Sequence, residues 1–327
     1  MTHQIHPEAV DYLRRFSDPV LPVDTAVLGR EQCLELAADA DALIMCMADK
    51  VDDEFLTHCP RLRVISTVVK GHDNFDAAAC ARHGVWLTVL PDLLTAPTAE
   101  LAVALAVALG RRVREGDALV RSGRFRGWRP VLYGRGLYRA RVGVVGMGRL
   151  GRAVARRLAG FEPSEVLYYD RQRLTAPEEQ RLGVRAADLG ELMGGCEVVL
   201  LLLPLSGDTH HLVSREVLAR ALPGQLLVNV GRGSVVDEEA VAAALEEGTL
   251  GGYAADVFAF EDGSVPAHFR AVPRGLLTHP ATLLTPHLGS AVAAVRKDME
   301  LAAARQVEQA LSGRVPDHEV TTGLLGK

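Results

Sequence analysis

The stretch Gly146-Met147-Gly148-Arg149-Leu150-Gly151 limits what this chain can fold into more than any other. It follows an apolar run at 141–145 and leads into an Ala/Val/Leu-rich run at 152–158, so a strand turns directly into a helix through three glycines. Each glycine has its own reason. Gly146 permits the tight turn, Gly148 lets the backbone approach a pyrophosphate, and Gly151 allows helix to pack closely on strand. The helix N-terminus then offers unpaired N–H groups to phosphates. A second apolar run, Glu165-Val166-Leu167-Tyr168-Tyr169, ends at Asp170, where a carboxylate can accept hydrogen bonds from a ribose. The glycine triplet alone is a weak signal, but strand, turn, helix, strand and acid in this order specify a dinucleotide-binding βαβ unit.

The rest of the composition excludes several alternatives. A chain of 327 residues buries a substantial core and is expected to form more than one domain. The net charge of -5 and the lack of a basic block of five or more residues give no reason to expect nucleic acid as a partner. The apolar run 99–110 is too short to span a membrane, and no membrane association is expected. The first residues show no signal-peptide pattern, which predicts a cytoplasmic protein. The five cysteines, Cys33, Cys46, Cys59, Cys80 and Cys196, lack CxxC spacing and read as reduced core residues, with no metal site expected.

Apolar segments alternate with helical ones along the chain, the order that parallel sheets require. Strands are predicted at 42–47, 62–69 and 85–90 before the glycine motif, and at 196–203, 226–230, 252–257 and 282–284 after it. Helices are predicted at 30–38 and 76–83, the latter capped by Asn74, and a single long helix from Pro97 to about Arg121. At 1.5 Å per residue that helix would span roughly 35 Å. The irregular, aromatic-rich stretch 124–134 is expected to close over something or to meet a partner subunit, and a last helix, 291–311, to return to the first domain.

Three polar residues stand just beyond predicted strands, where open α/β sheets place their ligands. Arg232, in Val230-Gly231-Arg232-Gly233-Ser234, has a planar guanidinium suited to gripping a small oxyanion. Glu261 and His287 are each an ordinary loop residue when taken alone. Together, a carboxylate on one imidazole nitrogen would fix the tautomer and leave the other nitrogen to exchange a proton with substrate.

With these segments in place, the chain resembles the D-isomer-specific 2-hydroxyacid dehydrogenase family. The resemblance rests on 146–151 (GMGRLG), 201–213 (LLLPLSGDTHHLV), 228–241 (VNVGRGSVVDEEAV), 251–262 (GGYAADVFAFED) and 283–290 (LLTPHLGS), all in the family's order. It implies an α/β fold of two Rossmann-like domains with doubly wound parallel sheets. The substrate domain would be split, 1–97 completed by 290–327, around a nicotinamide domain at 98–289, and the assembly would be a homodimer. It implies NAD as cofactor, Arg232 as the anion grip, His287 as acid/base and Glu261 as its partner. Cofactor contacts are implied for Lys70, Thr98, Gly146, Gly148, Arg149, Leu150, Gly151, Asp170, Arg171, Leu203, Pro204, Thr209, Gly231, Arg232, Asp256, His287 and Ser290. Asp170 should favour NAD, while Arg171 beside it should leave NADP tolerated.

Four further segments, 69–76 (VKGHDNFD), 89–101 (VLPDLLTAPTAEL), 121–128 (RSGRFRGW) and 289–296 (GSAVAAVR), resemble a phosphite-oxidising subgroup of that family. That closer resemblance implies a substrate pocket of Met47, Lys70, Gly71, Leu94, Trp128, Tyr133, Ser290 and Arg296 alongside Arg232 and His287. The physical reading agrees, since phosphite carries up to two negative charges on three oxygens and a second cation at Lys70 becomes useful beside Arg232. The rival expectations are a 2-hydroxyacid dehydrogenase acting as a glyoxylate or hydroxypyruvate reductase, and a non-catalytic NAD(H)-sensing binding protein on the same scaffold.

Overall fold

A computed structural model of the protein describes residues 1–23, 26, 28–90, 92–262 and 271–322. The fold is α/β, and the chain forms two compact units, Met1–Leu94 with Ser290–Lys327, and Thr95–Gly289.

The first unit is built on β1 (Ala42–Met45), β2 (Val64–Thr67) and β3 (Trp86–Thr88), parallel and in that order. Successive side chains of a strand point to opposite faces, and here both faces are covered. Leu43, Met45, Ile65 and Leu87 enter one core, while Ile44 and Val64 enter another with Met299, Ala303 and Val307 of the helix Ala293–Leu311. Gln306 fixes that helix to the sheet. Its side-chain carbonyl accepts from Ser66 (2.8 Å) and Thr88 (2.7 Å), and its amide donates to the carbonyls of Val89 and Asp317. The C-terminal segment therefore returns to this unit through a saturated polar contact that is 3% exposed.

The second unit holds seven parallel strands: β4 (Arg141–Val145), β5 (Glu165–Tyr169), β6 (Arg185–Ala186), β7 (Val198–Leu201), β8 (Gln225–Asn229), β9 (Leu250–Ala255) and β10 (Thr282–Leu284). Their order, β10-β9-β8-β7-β4-β5-β6, is doubly wound, with β4 at the reversal. Alternation again decides the layers. Val144, Tyr168, Leu200 and Val228 face the helices Thr95–Gly110 and Arg149–Leu158, whereas Val145, Leu167, Leu201 and Leu227 pack under the helices Leu189–Gly195 and Glu238–Glu246.

Two expectations from the sequence are corrected, and one short strand was not among them. The helix beginning near residue 97 is not continuous to 121: it stops at Gly110, and a second helix, Val113–Arg121, starts after Arg112 in the left-handed region (φ 52°). Gly110 is where the chain doubles back. Its carbonyl accepts from Arg135 N–H at 2.8 Å, and a Cβ there would lie 2.6 Å from the Arg135 carbonyl oxygen. The helix Ala77–Arg82 is capped by Asp76, which accepts from Ala79 N–H at 2.8 Å, and not by Asn74, whose amide donates to the Met47 carbonyl instead. The two-residue strand β6, with no apolar run to announce it, has no counterpart in the sequence reading.

Replacing Gln306 by Leu would remove the side-chain donor to the Val89 and Asp317 carbonyls, while the Ser66 and Thr88 hydroxyls keep the Ala303 carbonyl and each other as partners. Each unsatisfied buried group costs about 1–3 kcal/mol, partly recovered by the apolar side chain, so denaturant unfolding should show a loss of about 2–4 kcal/mol.

Candidate active site

The glycine turn, Asp170, Arg232, Glu261 and His287 of the second unit lie beyond the C-terminal ends of its strands. At the end of β4, Gly146 takes φ +101° and donates its N–H to the Tyr169 carbonyl at 2.8 Å. A Cβ on Gly151 would lie 2.1 Å from the Gly146 carbonyl oxygen, so helix and turn touch there only because residue 151 is glycine. A Cβ on Gly148 would meet nothing within 4 Å, which leaves the backbone of the turn open on its outer side. Asp170 is oriented by two amides, accepting from Met147 (2.6 Å) and Gln172 (2.9 Å). A pyrophosphate-sized cradle at the N-terminus of helix Arg149–Leu158, beside a fixed carboxylate, fits a dinucleotide. Arg149 and Leu150 open that helix, and Arg171 follows Asp170 at the surface. The loop after β7 carries Leu203 and Pro204 and is shaped by Thr209, whose hydroxyl donates to the Pro204 carbonyl (2.7 Å) and accepts from Ser206 N–H (2.8 Å). Thr98 donates to the Gly289 carbonyl at 3.2 Å.

The structure brings His287 and Glu261 together. His287 Nδ1 lies 2.7 Å from Glu261 Oε2, and Glu261 Oε1 accepts from Phe258 N–H at 2.8 Å. A carboxylate accepts only, so the shared proton belongs on Nδ1 and Nε2 is the nitrogen left to exchange one with a substrate. Both side chains are partly exposed, at 31% and 22%. His287 sits at φ 55°, a conformation that a non-glycine residue adopts only when its surroundings impose it. Asp256 imposes it. This carboxylate, 1% exposed, accepts from Leu288 N–H (2.7 Å), Gly289 N–H (2.8 Å) and the Thr285 hydroxyl (2.6 Å), while its carbonyl accepts from His287 N–H. Burial raises its pKa, and those hydrogen bonds act against the rise. Asp256, expected at the cofactor, is thus seen anchoring the histidine turn.

Arg232 leaves β8 in extended backbone. Its carbonyl accepts from the Asn229 amide (2.9 Å) and its Nη1 donates to the Gly231 carbonyl (3.0 Å). Gly231 and Gly233 are needed by close approach: a Cβ would lie 2.5 Å from Leu203 O at the first and 1.9 Å from the Phe258 carbonyl carbon at the second. The arginine turn and the glutamate turn are therefore in contact, and two acids that the sequence reading passed over clasp them. Asp262 accepts from Ser234 N–H at 2.7 Å, and Glu238 accepts from Ala259 N–H at 2.8 Å. Their signal, an Asp-Glu-Glu helix start and an Asp after Glu261, was visible but indistinguishable from surface charge.

The other predicted residues divide between the units. Met47 lies beyond β1, and Lys70 and Gly71 lie beyond β2, at the same ends of the first unit's sheet. Leu94 and Ser290 close that unit's two segments. Arg296 stands in the first turn of the C-terminal helix, its Nη2 3.8 Å from Glu300, a 3%-exposed carboxylate that also takes His6 Nδ1 at 2.8 Å. Trp128 and Tyr133 belong to the second unit and are 86% and 78% exposed, so within one chain both are surface rings, Tyr133 at the edge of an open hollow beside Arg112, Arg114 and Glu115. Burial pushes the Cys33 and Cys46 thiols up to about 11 and those of Cys80 and Cys196 to about 12, which keeps them as thiols.

Comparison with known proteins gives the site its context. Residues 103–289 match the model of the D-isomer specific 2-hydroxyacid dehydrogenase NAD binding domain. The chain is 35% identical to a glyoxylate reductase of Thermococcus gammatolerans over 97% of its own length and 93% of the relative's. It is 39% identical to glyoxylate/hydroxypyruvate reductase B of Pectobacterium carotovorum, covering 84% of each. A solved protein from Thermus thermophilus superposes with a TM-score of 0.86 at 34% identity over 98% of both chains.

Burial raises the pKa of Glu238 to about 7, with the charges of Asp262, Glu261 and Glu239 adding to it. A folded pKa above the unfolded value near 4.5 gives stability that is full below about pH 4.5 and lost as pH rises through about 7. Chemical unfolding across that window should therefore show a decline that Glu238→Gln flattens. An unchanged decline would mean that Glu238 titrates normally.

Proposed function

The chain belongs to the D-isomer-specific 2-hydroxyacid dehydrogenase family, NAD-binding oxidoreductases, and from that premise we propose that its substrate is phosphite, oxidised to phosphate. The observation that carries the proposal is Lys70, a cation just beyond β2 in the segment 69–76 that resembles phosphite-oxidising relatives. A 2-hydroxy acid presents one carboxylate, for which a single arginine and backbone donors suffice, whereas a phosphite dianion rewards two cations.

In this reading Arg232 and Lys70 bind the anion and orient its P–H bond. NAD supplies the hydride acceptor. His287 takes a proton from water at Nε2 as the water oxygen attacks phosphorus, and the hydride leaves as the P–O bond forms. Glu261 keeps the ring in the required tautomer and stabilises the imidazolium that results. Water, phosphite and NAD thereby give phosphate, NADH and one proton.

A second reading is favoured by the names of the relatives: reduction of glyoxylate or hydroxypyruvate by NADH. There Arg232 would hold the carboxylate and His287 would donate the proton to the oxygen of the carbonyl being reduced. The Arg232, Glu261 and His287 set serves either chemistry, and the substrate choice rests on the cations of the first unit. An intact acid/base pair weighs against a purely NAD(H)-sensing role.

Initial rates settle the choice. Phosphite-dependent NADH formation should exceed glyoxylate- and hydroxypyruvate-dependent NADH consumption in kcat/KM, and the reverse order would establish the second reading. Lys70→Met should lower kcat/KM for phosphite about 10- to 150-fold, the value of one charged hydrogen bond of about 1.5–3 kcal/mol, with less effect on a keto acid. His287→Ala should abolish turnover with any substrate; near-normal rates would remove it as the acid/base.

A further inference from the structure

The two loops that flank the glycine turn are tied across it by one ion pair. In the sheet β4 lies between β7 and β5. Arg171, one residue past the ribose-side Asp170 at the end of β5, places Nη1 2.7 Å from Oδ2 of Asp208, which lies in the loop after β7. The pair is 75% and 71% exposed, so it is loosely held and screened. An arginine at this strand end is the group that accommodates a 2′-phosphate, and the carboxylate before it is the group that excludes one. Asp170 stays where it is, its two oxygens held by the amides of Met147 and Gln172. Arg173, the next cation along, is already engaged by Glu179 at 3.1 Å.

We infer that Asp208 is a cofactor-specificity residue: by engaging Arg171 it withholds that guanidinium from the 2′-phosphate of NADP, and so sets how far NADP is tolerated. The 2′-phosphate has to displace a carboxylate from Arg171 and approach its charge. NAD, which lacks that phosphate, is indifferent to the pair. Removing the Asp208 charge releases Arg171 while Asp170 continues to act, so NADP binding improves without the preference for NAD being inverted. The inference rests on the NAD-binding assignment alone and is independent of which anion is the substrate.

The test is equilibrium binding of NAD and NADP to the full-length protein by calorimetry, for wild type, Asp208→Asn, Arg171→Ala and the double variant. Asp208→Asn should tighten NADP by roughly three- to fivefold, the upper range for a screened surface charge, and leave NAD within about twofold. With Arg171→Ala in place, the gain from Asp208→Asn should fall below about twofold. An unchanged NADP affinity in Asp208→Asn would overturn the inference. So would an equal gain without Arg171, since Asp208 would then act only by direct repulsion. A parallel loss of both cofactors would also overturn it, by showing that the residue shapes the loop.

Discussion

One short contact organises the chemistry: a carboxylate oxygen of Glu261 on the imidazole of His287, at 2.7 Å. It selects a tautomer, and selecting a tautomer decides which nitrogen faces a reactant. The contact needs both partners delivered from different strand ends, β9 for the glutamate and β10 for the histidine. Much of the surrounding structure serves that delivery. Asp256 uses three hydrogen bonds to hold a histidine in a left-handed backbone, and Glu238 and Asp262 join the glutamate turn to the arginine turn. Arg232 is thereby fixed relative to Glu261 and His287 by the same pair of loops.

The glycine turn follows the same logic with backbone in place of side chains. Gly146 and Gly151 meet at a distance no Cβ permits, and the helix that starts there aims its amides outward. Asp170 is bound to Met147 of that turn, so the carboxylate and the glycine turn are joined in one feature. In the proposal above, Asp170 keeps the preference for NAD, and the exposed ion pair between the loops that follow β5 and β7 adjusts how far NADP is tolerated. A fixed turn beside an adjustable rim suits a fold reused for many substrates.

Periodicity and glycine spacing made most of the framework legible in the sequence. The runs at 141–145, 165–169 and 282–284 are strands with the bounds read from them, and Arg232, Glu261 and His287 occupy strand-end loops as expected. What stayed hidden depended on contacts distant in sequence. Nothing local marks Gly110 as the point where residue 135 crosses, so two helices read as one. Asn74 and Asp76 are both good caps by type, and only the fold shows that Asn74 is taken by Met47. Asp256 looks like a ligand-facing acid after a strand, yet its partners are the amides at 288 and 289. The exposed rings of Trp128 and Tyr133 show the same limit, because an aromatic-rich segment does not reveal what it packs against.

The substrate choice and the proton chemistry are separable, and the latter is the foundation of the account. Its most direct measurement is the 15N and 1H NMR spectrum of the protein labelled in histidine, with the His287 signal identified by its loss in His287→Asn. The account predicts a neutral ring protonated at Nδ1, with a strongly downfield proton that disappears in Glu261→Ala and an unprotonated Nε2. A neutral ring carrying its proton on Nε2, unaffected by Glu261→Ala, would contradict it.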